Sequence, residues 1–502
     1  MAAPAIPSLD VPALIPANSH YIGGQWVRGS TDETIDVINP ATREVLQRVA
    51  RGREADIDLA VRTAHAAFPQ WRDMNPTTRG NLLRKWADLL NQHGHELSLL
   101  GSLEVGRPFR GGGGGEGAAG RLPYYASQAD KITGDTLPVT RPDVLAFTLR
   151  EPFGVCGVIV PWNGPLGMML NGGAAALAAG NTIVVKPAED APLACLLAIS
   201  LAKEAGIPDG VVNIVSGYGP EAGAALPVHP LVRHMSFTGS PESGQKVMEG
   251  CAKNLIPLHL ELGGKSPQII LKDADLSKVI PLISSNIIAN TGQICYAGTR
   301  IVVEDSVRPL VVEGVAERLE KVRVGPWYED VQMGPLINEK QENRVVTYMN
   351  LGQEEGAKLV TGGHKLSGDV YDRGFFVEPT LFDEVKSDMR IAQEEIFGPV
   401  LSVMGFTDAE EAIEIANGTK YGLAASVWTN DIRRAQMIVR KLQAGQVYVN
   451  TYGHSGVIGA PFGGYKNSGF GRTGGFDTIM QYLQVKSVIM DAGEGGRGRG
   501  GE

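Results

Sequence analysis

Cysteine is scarce in this sequence, and its spacing is too irregular to build a disulfide framework. Four cysteines occur in 502 residues, at Cys156, Cys195, Cys251 and Cys295. None belongs to a CxxC pair of the kind that binds zinc, so we expect no metal site. The chain is long enough to bury a core without such cross-links. A reducing compartment therefore fits, and we expect the protein to be cytoplasmic.

Long apolar runs and a basic amino terminus are also missing. No apolar run approaches the ~18 residues that a membrane-spanning helix needs, and the longest candidate, 166–179, is interrupted by glycines and an asparagine. The first Lys or Arg is Arg28, unlike the basic start of a secretory signal. The formal net charge is −9, which disfavours a phosphate backbone as the main partner. We therefore expect neither a membrane nor a nucleic acid as partner.

Short β-branched strands alternate with helical segments after a helical region at 54–100. The first set of predicted strands comprises 155–160, 182–185, 211–215 and 234–237. A second α/β set follows over 267–417, with late strands at 446–449 and 483–490. Alternation at this spacing is typical of parallel βαβ units, so the sequence predicts an α/β fold with a doubly wound sheet.

Glycine is abundant, with 64 of 502 residues, about 13% against a typical ~7%. The run at 111–115 predicts a surface loop or a weak helix, because glycine disfavours helices and no strand leads into it as in a phosphate loop. The Gly/Arg/Glu-rich segment 493–502 has nothing to bury and predicts a flexible tail.

The motif Pro161-Trp162-Asn163 stands at the carboxyl end of a predicted parallel strand. Open α/β sheets bind their ligands at that edge. The Asn163 amide can donate a hydrogen bond to a developing oxyanion there. Alternatively, Asn163 caps the helix that follows.

Lys186-Pro187-Ala188-Glu189 also follows a predicted strand, and it leaves a cation and a carboxylate at the sheet edge. A carboxylate in that place can hold the hydroxyls of a ribose and would repel a 2′-phosphate. The alternative is a solvated ion pair without a ligand.

A strand-turn-helix pattern is predicted at Phe237-Thr238-Gly239-Ser240, with Gly244 near the start of the helix. Such a turn presents free N–H groups and the positive end of a helix dipole to a pyrophosphate. The signal is weak by itself, because the glycine fingerprint GxGxxG is missing.

Glu261-Leu262-Gly263-Gly264 precedes Cys295 by 34 residues. Cys295 lies in a glycine-flanked loop after an apolar helix, where a thiol can meet a substrate. Cys156 lies within a predicted strand, Cys195 within a helix and Cys251 at a helix end, so we predict that these three are packing thiols. The sequence alone does not identify the polarising environment that a reactive thiolate needs.

Taken in order, the motifs along the chain resemble the aldehyde dehydrogenase superfamily over nearly its whole length, from about Tyr21 to Met490. They are PWN, KPAE, FTGS, ELGG, GQICYAGTR, EEIFGPV and PFGGYKNSGFGR. The resemblance implies an NAD-dependent enzyme that oxidises a small-molecule aldehyde substrate to its carboxylic acid and forms a homodimer or homotetramer. The alternatives are a relative that prefers NADP, one specific for a semialdehyde, or a non-catalytic member.

The resemblance assigns the catalytic roles to Cys295, Glu261 and Asn163. Cys295 is then the nucleophile that forms a thiohemiacetal, and Asn163 with the Cys295 N–H holds its oxyanion. After hydride transfer to the nicotinamide, Glu261 activates the water that hydrolyses the thioester. Relatives that transfer the acyl group to coenzyme A typically lack this glutamate, so Glu261 favours hydrolysis.

The resemblance also assigns residues to the cofactor. Lys186 and Glu189 are expected at the adenosine ribose, Ser240 at the pyrophosphate, and Glu395 with Phe397 at the nicotinamide ribose and ring. The full set of cofactor-binding candidates is Trp162, Lys186, Glu189, Gly239, Ser240, Gly244, Glu395 and Phe397. Because Glu189 repels a 2′-phosphate, we expect NAD, although dual-specific enzymes can keep this glutamate.

Three parts are implied by the same resemblance. A Rossmann-like coenzyme-binding domain would take 1–129 and 153–264, and an α/β catalytic domain would take 265–466. A small β oligomerisation arm would combine 134–152 with 480–491. An exposed edge strand in such an arm invites pairing with another subunit.

The segment after PWN departs from the family pattern. Where many relatives carry bulky side chains, this chain has Gly164, Gly167 and Asn171, and Gly172 replaces a lysine that hydrolytic relatives often carry. The segments 155–180, 287–298 and 450–462 contain no Lys or Arg, so a carboxylate at the far end of a substrate would lack a partner. We therefore expect a neutral, bulky substrate, aromatic or long-chain. The candidate pocket residues are Gly164, Met168, Asn171, Ile294, Tyr296, Tyr452 and His454.

Overall fold

A computed structural model describes residues 9–109, 120–453 and 457–491 of the chain. Three of the predictions above lie outside these ranges, namely the glycine run 111–115, the pocket candidate His454 and the tail 493–502. No helix within the described ranges is long and apolar enough to cross a membrane.

The N-terminal part of the described chain combines two β-hairpins with the predicted helical region. Its elements are α1 (Val11–Leu14), β1 (Ser19–Ile22), β2 (Gln25–Arg28), β3 (Thr34–Ile38), β4 (Val45–Ala50), α2 (Glu54–Arg72), α3 (Pro76–Gln92), α4 (Gly94–Val105), α5 (Arg121–Ala126), β5 (Thr136–Leu137) and β6 (Val144–Pro152). In α2, Ile57, Ala60, Val61 and Ala64 are all buried. Their spacing places them on one face of the helix, which confirms the predicted helical pattern.

The first large sheet is built from the middle of the chain, and its central strands are those that the apolar runs predict. The elements are β7 (Val155–Val160), α6 (Pro165–Ala178), β8 (Thr182–Pro187), α7 (Leu193–Ser200), β9 (Val212–Ile214), α8 (Ala224–Val228), β10 (Val232–Thr238), α9 (Pro241–Ala252) and β11 (Leu258–Glu261). Every residue of β7 and β8 is buried, as expected for parallel strands covered on both faces. Helix α7 ends at Ser200, and the chain continues in turns after it.

The second large sheet follows in sequence and again has mainly parallel neighbours. Its part of the chain contains β12 (Pro267–Ile270), α10 (Leu276–Ile288), β13 (Arg300–Glu304), α11 (Arg308–Leu319), α12 (Glu339–Glu354), β14 (Lys358–Thr361), β15 (Thr380–Asp383), α13 (Arg390–Gln393), β16 (Val400–Phe406), α14 (Ala409–Asn417), β17 (Tyr421–Gly422), β18 (Ala424–Trp428), α15 (Ile432–Lys441) and β19 (Gln446–Val449). The sequence does not predict strands β14, β15 and β18.

The C-terminal elements are β20 (Tyr465–Lys466), β21 (Gly469–Phe470), α16 (Phe476–Met480) and β22 (Leu483–Asp491). With β21 added, the order of the first sheet is β2-β1-β9-β8-β7-β10-β11-β21, and that of the second is β14-β15-β16-β13-β12-β18-β19. The five strands from β9 to β11 are mutually parallel, as are the six from β15 to β19. The carboxyl ends of the parallel strands therefore meet at one edge in each sheet.

Strand β22 returns to pair with β6 in a separate small sheet. All nine residues of β22, from Leu483 to Asp491, pair antiparallel with β6, and β5 pairs with the other side of β6. Val485, Ile489 and Met490 of β22 are exposed. The small sheet thus ends in an edge strand that carries apolar side chains on its surface.

Candidate active site

A cavity of about 1000 Å³ opens at the carboxyl ends of β7, β8, β10 and β11. The cavity lies at the sheet edge that the motifs predict, because each of these four strands ends at one of the motifs PWN, KPAE, FTGS and ELGG. Of the predicted site residues, those that line the cavity are Trp162, Asn163, Met168, Lys186, Glu189, Gly239, Ser240, Glu261, Cys295, Glu395 and Phe397. Residues that are up to 235 positions apart in sequence are thus brought around one space (397 − 162 = 235).

Cys295 reaches this cavity on a loop whose backbone is tightly constrained. Helix α10 ends at Ile288, and the 3₁₀ turn Ala289–Gly292 follows it. Asn290, Thr291 and Gly292 have φ values of 48°, 56° and 69°. A Cβ at position 292 would overlap the backbone carbonyl of Gly398. Glycine is therefore required at this close approach, at the end of the turn and three residues before Cys295.

Buried side-chain amides fasten the same loop. Gln293 is fully buried, its Oε1 accepts the N–H of Ile337 at 3.0 Å, and its Nε2 donates to the Asn290 carbonyl at 3.1 Å. The Nδ2 of Asn290 donates to the carbonyls of Asn163 at 3.0 Å and Gln293 at 3.1 Å. These four hydrogen bonds hold the loop in one conformation, so the position of Cys295 is defined before any ligand binds.

The Cys295 thiol differs from the other three cysteines in its surroundings. Cys156, Cys195 and Cys251 are buried, whereas Cys295 is only partly buried and lines the cavity. Burial raises the pKa of the Cys295 thiol, and the carboxyls of Glu395 and Glu261 raise it further. The protonated thiol is therefore favoured in the ligand-free protein, and a reacting thiol must lose its proton within this site.

Asn163 does not cap the helix that follows it. Its Nδ2 donates to the backbone carbonyl of Gln293 at 2.9 Å, and α6 begins after Gly164 with no side-chain cap. The capping alternative for Asn163 is therefore wrong. An amide nitrogen carries two N–H donors, so the bond to Gln293 leaves one of them for a ligand beside the Cys295 loop.

Glu261 is the last residue of β11 and is almost completely buried at the cavity wall. Its Oε1 accepts a hydrogen bond from the Nε2 of His259 at 3.0 Å, and among the residues that the structure describes its Oε2 has no partner. Burial raises the pKa of Glu261, whereas His259 and the charge of Arg472 lower it. His259 was missed in the sequence, although its position two residues earlier in a strand places it on the same face.

Glu395 and Phe397 lie on a loop that α12 holds in place. The Oε1 of Glu395 accepts the N–H of Gly264 at 3.0 Å, and the Phe397 ring meets Trp162 edge-on at 5.3 Å between centroids. Gln341 donates to the Phe397 carbonyl at 2.7 Å, and Arg344 donates to the Glu395 carbonyl at 2.5 Å. No sequence signal connects this helix with the loop, because both contacts span more than fifty residues.

Burial raises the pKa of Glu395 to about 7. The N–H of Gly264 and the charges of Arg344 and Lys265 act in the opposite direction and favour the carboxylate. This carboxyl can therefore change its charge near neutral pH, as groups at ligand sites often do.

Lys186 and Glu189 form an ion pair with 3.2 Å between Nζ and Oε2. The alternative of a solvated ion pair is wrong for Lys186, because only 3% of this residue is exposed. Burial lowers the pKa of Lys186, and Glu189 opposes that shift. A buried cation and a partly exposed carboxylate thus face the cavity together, which suits the hydroxyls of a sugar.

Ser240 is the N-cap of α9, and its Oγ accepts the N–H of Ser243 at 3.2 Å. Gly239 and Ser240 line the cavity, so the N-terminal end of this helix faces it. Gly244 does not line the cavity. A Cβ there would come within 2.7 Å of the Leu262 side chain, so Gly244 allows α9 to pack closely on the chain after β11.

The remaining candidates for the substrate pocket lie beside Cys295 or on α6, outside the lining of this cavity. The Oη of Tyr452 donates to the carbonyl of Tyr296 at 2.5 Å, and the Tyr296 ring meets Phe462 at 5.7 Å. A Cβ at Gly164 would meet only Met168, at 3.9 Å. Ile294, next to Cys295, is partly exposed, and Asn171 contacts the Met168 sulfur at 3.9 Å.

The groups around the cavity fit a dinucleotide better than a metal. A helix N-terminus, a buried lysine and two carboxylates face a space of about 1000 Å³, the size class of a large organic ligand. Within the described ranges, no group of three His, Cys, Asp or Glu side chains is placed to hold a metal ion.

Comparison with known proteins agrees with the motifs and the geometry. The model of the aldehyde dehydrogenase family matches residues 26–488. A putative aldehyde dehydrogenase of Bacillus subtilis is 44% identical over 478 residues, which cover 93% of this chain and 94% of that protein. The match thus includes all of the elements that surround the cavity.

Solved structures give the same result. The NAD⁺ complex of an aldehyde dehydrogenase from Bacillus cereus superposes with a TM-score of 0.93 at 42% identity, covering 97% of this chain and 99% of that chain. The indole-3-acetaldehyde dehydrogenase of P. syringae, solved with NAD⁺ and IAA, superposes with a TM-score of 0.91 at 39% identity, covering 94% and 96%. The cofactor is NAD, and the chain belongs to the aldehyde dehydrogenase family as an NAD-dependent oxidoreductase.

Proposed function

We propose that this enzyme oxidises a neutral, bulky aldehyde to its carboxylic acid through a thioester on Cys295, which water activated by Glu261 then hydrolyses. The observation that carries the proposal is that Cys295, Asn163 and Glu261 line one cavity together with the predicted cofactor residues. Three separate parts of the chain contribute these groups, and each is fixed by buried contacts.

The first half of the reaction uses Cys295 and Asn163. The Cys295 sulfur attacks the aldehyde carbon and gives a tetrahedral thiohemiacetal. The free N–H of the Asn163 amide and the backbone N–H of Cys295 stabilise its oxyanion. When bound, NAD supplies the acceptor for the two electrons and the hydrogen that the substrate carbon loses. A thioester on Cys295 remains.

The second half uses Glu261 as the general base. Its Oε2, which has no hydrogen-bond partner in the described part of the chain, takes a proton from water. The water oxygen bonds to the thioester carbon, the carbon–sulfur bond breaks, and the departing thiolate takes the proton from Glu261, which regenerates both the thiol and the base as the acid leaves. A carboxylate at this position supports hydrolysis rather than transfer of the acyl group to another thiol.

The other cavity residues are proposed to hold the cofactor. Lys186 and Glu189 suit the adenosine ribose, while Gly239 and Ser240 at the start of α9 suit the pyrophosphate. Glu395, Phe397 and Trp162 suit the nicotinamide ribose and ring. Because Glu189 pairs with only one lysine and keeps a partly exposed carboxylate, it would repel a 2′-phosphate, which supports NAD over NADP.

A neutral, bulky substrate is supported by the space around α6. A Cβ at Gly167 would meet nothing within 4 Å, and one at Gly164 would meet only the flexible end of Met168. Tyr296 and Tyr452 add aromatic surface next to Cys295. Adaptable methionine and aromatic surfaces favour apolar ligands. The indole-3-acetaldehyde dehydrogenase among the similar structures is named for an aromatic aldehyde.

A semialdehyde is the second candidate, because one cation stands near this side of the site. The guanidinium of Arg121 donates to the Ile458 carbonyl at 3.4 Å, and its charge opposes the increase that burial causes in the pKa of Tyr296. Arg121 could therefore meet a carboxylate at the far end of a substrate.

The wider organisation extends the same proposal. We assign coenzyme binding to 1–129 and 153–264, catalysis to 265–466, and subunit contact to 134–152 with 480–491. The exposed apolar side chains of β22 support a homodimer or homotetramer. The cytoplasmic location stays a prediction from the four free cysteines.

A substrate survey tests the proposal. NADH formation is measured with benzaldehyde-type, long-chain and semialdehyde substrates, using the wild type, Cys295→Ser and, as a control, Cys251→Ser. We expect aromatic or long-chain aldehydes to give the highest kcat/KM, and only Cys295→Ser to abolish turnover. A strong preference for succinate semialdehyde that disappears in Arg121→Gln would favour the second candidate. Full activity in Cys295→Ser would refute the nucleophile assignment.

A further inference from the structure

We infer that His259 is a positioning residue for the general base: it donates a hydrogen bond to one oxygen of Glu261 and leaves the other oxygen for the hydrolytic water. The inference rests on the proposed role of Glu261 and adds a residue that the family motifs did not indicate.

The pair is built into a strand. His259 and Glu261 are two residues apart in β11, so their side chains leave the same face of the sheet. The distance from His259 Nε2 to Glu261 Oε1 is 3.0 Å, and the side chains are 3% and 7% exposed. Because a carboxylate only accepts hydrogen bonds, the imidazole nitrogen is the donor. A contact within one strand needs no loop closure to form.

A glycine next to the strand makes room for the imidazole, and a second one lies beside Ser236 on β10. Gly471 has a φ of 87°, and a Cβ there would overlap the His259 ring. On the other side, Ser236 is the ladder neighbour of His259 on β10. A Cβ at Gly172 would come within 2.9 Å of the Ser236 hydroxyl. Strand β11 therefore provides the polar group that contacts Glu261, namely His259, whereas α6 has a glycine where it passes Ser236.

The charged and titratable groups around the pair come from four other segments. Arg472, after β21, acts on Glu261, and His234 on β10 faces His259. Besides burial, the charges of Glu395 and Glu261 raise the pKa of the Cys295 thiol. Within the described ranges, no side chain other than His259 forms a hydrogen bond with the Glu261 carboxyl. Burial raises the pKa of Glu261 and the His259 hydrogen bond lowers it, so removal of this N–H should raise the pKa of the carboxyl further.

This role predicts a defect in one half of the reaction. Glu261 acts after the thioester has formed, so loss of the His259 donor slows hydrolysis and spares thioester formation. His259 itself neither gains nor loses a proton in the step. The water proton goes to Glu261 Oε2, the water oxygen bonds to the acyl carbon, and the carbon–sulfur bond breaks.

The experiment compares variants of the full-length enzyme with a good aldehyde substrate. His259→Leu removes the donor at similar size, His259→Val does so with a residue suited to strands, and His259→Gln keeps an N–H. His234→Gln is the control, because His234 is as buried as His259 and does not contact Glu261. The readouts are the pH profile of kcat, the NADH burst and the mass of the acyl-enzyme.

For His259→Leu and His259→Val we expect a retained NADH burst, an acyl-enzyme on Cys295 and an unchanged kcat/KM for the aldehyde. The acidic limb of kcat should move up by about one pH unit, and His259→Gln should restore part of the shift. An unmoved limb in whichever of the Leu and Val variants folds, or a burst lost together with kcat, would overturn the inference. Failure of the proposed function is seen separately, as a wild type that forms no acyl-enzyme on Cys295.

Discussion

The side-chain amide of Asn163 donates a hydrogen bond to the backbone carbonyl of Gln293, 2.9 Å away. Asn163 follows β7 of the first large sheet. Gln293 lies two residues before Cys295, in the segment that leads from α10 to β13 of the second large sheet. One N–H of the proposed oxyanion donor thus fixes the nucleophile's loop, and the other remains for substrate. The orientation of the donor is therefore set before the substrate arrives, which is the condition for effective oxyanion stabilisation.

Substitution of Asn163 should reduce the rate of the chemical step. We expect Asn163→Ala to lower kcat by about 10²–10³-fold, because a preorganised donor to an oxyanion is lost. Asn163→Asp has nearly the same shape but replaces the N–H donor by an acceptor, so it should be at least as inactive. Steady-state kinetics measure the effect, and calorimetric titration with NAD checks that the cofactor still binds. Near wild-type kcat in either variant would contradict the assignment.

Glu261→Gln should separate the two halves of the reaction. The amide cannot take a proton from water, so we expect a burst of NADH close to one per subunit, followed by turnover about 10²–10⁴-fold slower. Rapid-mixing absorbance and the mass of the trapped acyl-enzyme measure both phases.

The wild type supplies the matching pH test. Burial raises the pKa of Glu261, and only the ionised carboxylate acts as a base. Activity should therefore rise with pH above the usual range of a carboxyl group and show no such limb in Glu261→Gln. A limb that is identical in both proteins would assign the titration to another group.

The sequence could predict the parts of the site that stand at the ends of apolar strands. Runs such as 155–160 and 182–187 are buried on both faces, so their ends mark the binding edge without knowledge of their neighbours. Strand β18, AASVW, was missed because alanine and serine favour strands weakly, and its burial in the sheet decides its conformation. The contact of Glu395 with Gly264 spans 131 residues and has no local signal. His259 and Glu261, by contrast, could have been paired from their spacing alone.

Glu395 should make the stability of the cofactor-free protein depend on pH. Its pKa is raised to about 7 from the usual value of 4.5, so the folded protein binds this proton more tightly than the unfolded chain. The resulting stabilisation is complete at acidic pH and is lost as the pH rises through about 7. Urea unfolding at pH 5.5 and pH 8 should show a loss on the order of 1 kcal/mol.

Glu395→Gln is the variant that isolates this effect. Its side-chain oxygen can still accept the N–H of Gly264, but it cannot ionise, so the difference between the two pH values should become smaller. A pH dependence as large as that of the wild type would attribute the loss to other groups, such as Glu104, whose pKa is also raised to about 7 by burial.

Gly292→Ala tests whether the strained turn positions Cys295. The residue has a φ of 69°, and an added Cβ would lie 2.7 Å from the Pro399 nitrogen and overlap the Gly398 carbonyl. Gly356→Ala is the matched control, since Gly356 has a φ of 91° but open space around its Cβ position. The control should lose about 1–2 kcal/mol of unfolding free energy, from the left-handed backbone alone.

Gly292→Ala should lose more stability than the control, because the backbone of the Cys295 loop or of the Gly398 segment must also move. Displacement of the nucleophile by about 1 Å is enough to cost on the order of 10²-fold in rate, so kcat should fall in this variant and stay unchanged in Gly356→Ala. Denaturant titration and steady-state kinetics on the same preparations measure both effects. Equal stability losses with unchanged kcat would show that the turn bears no relation to the position of the thiol.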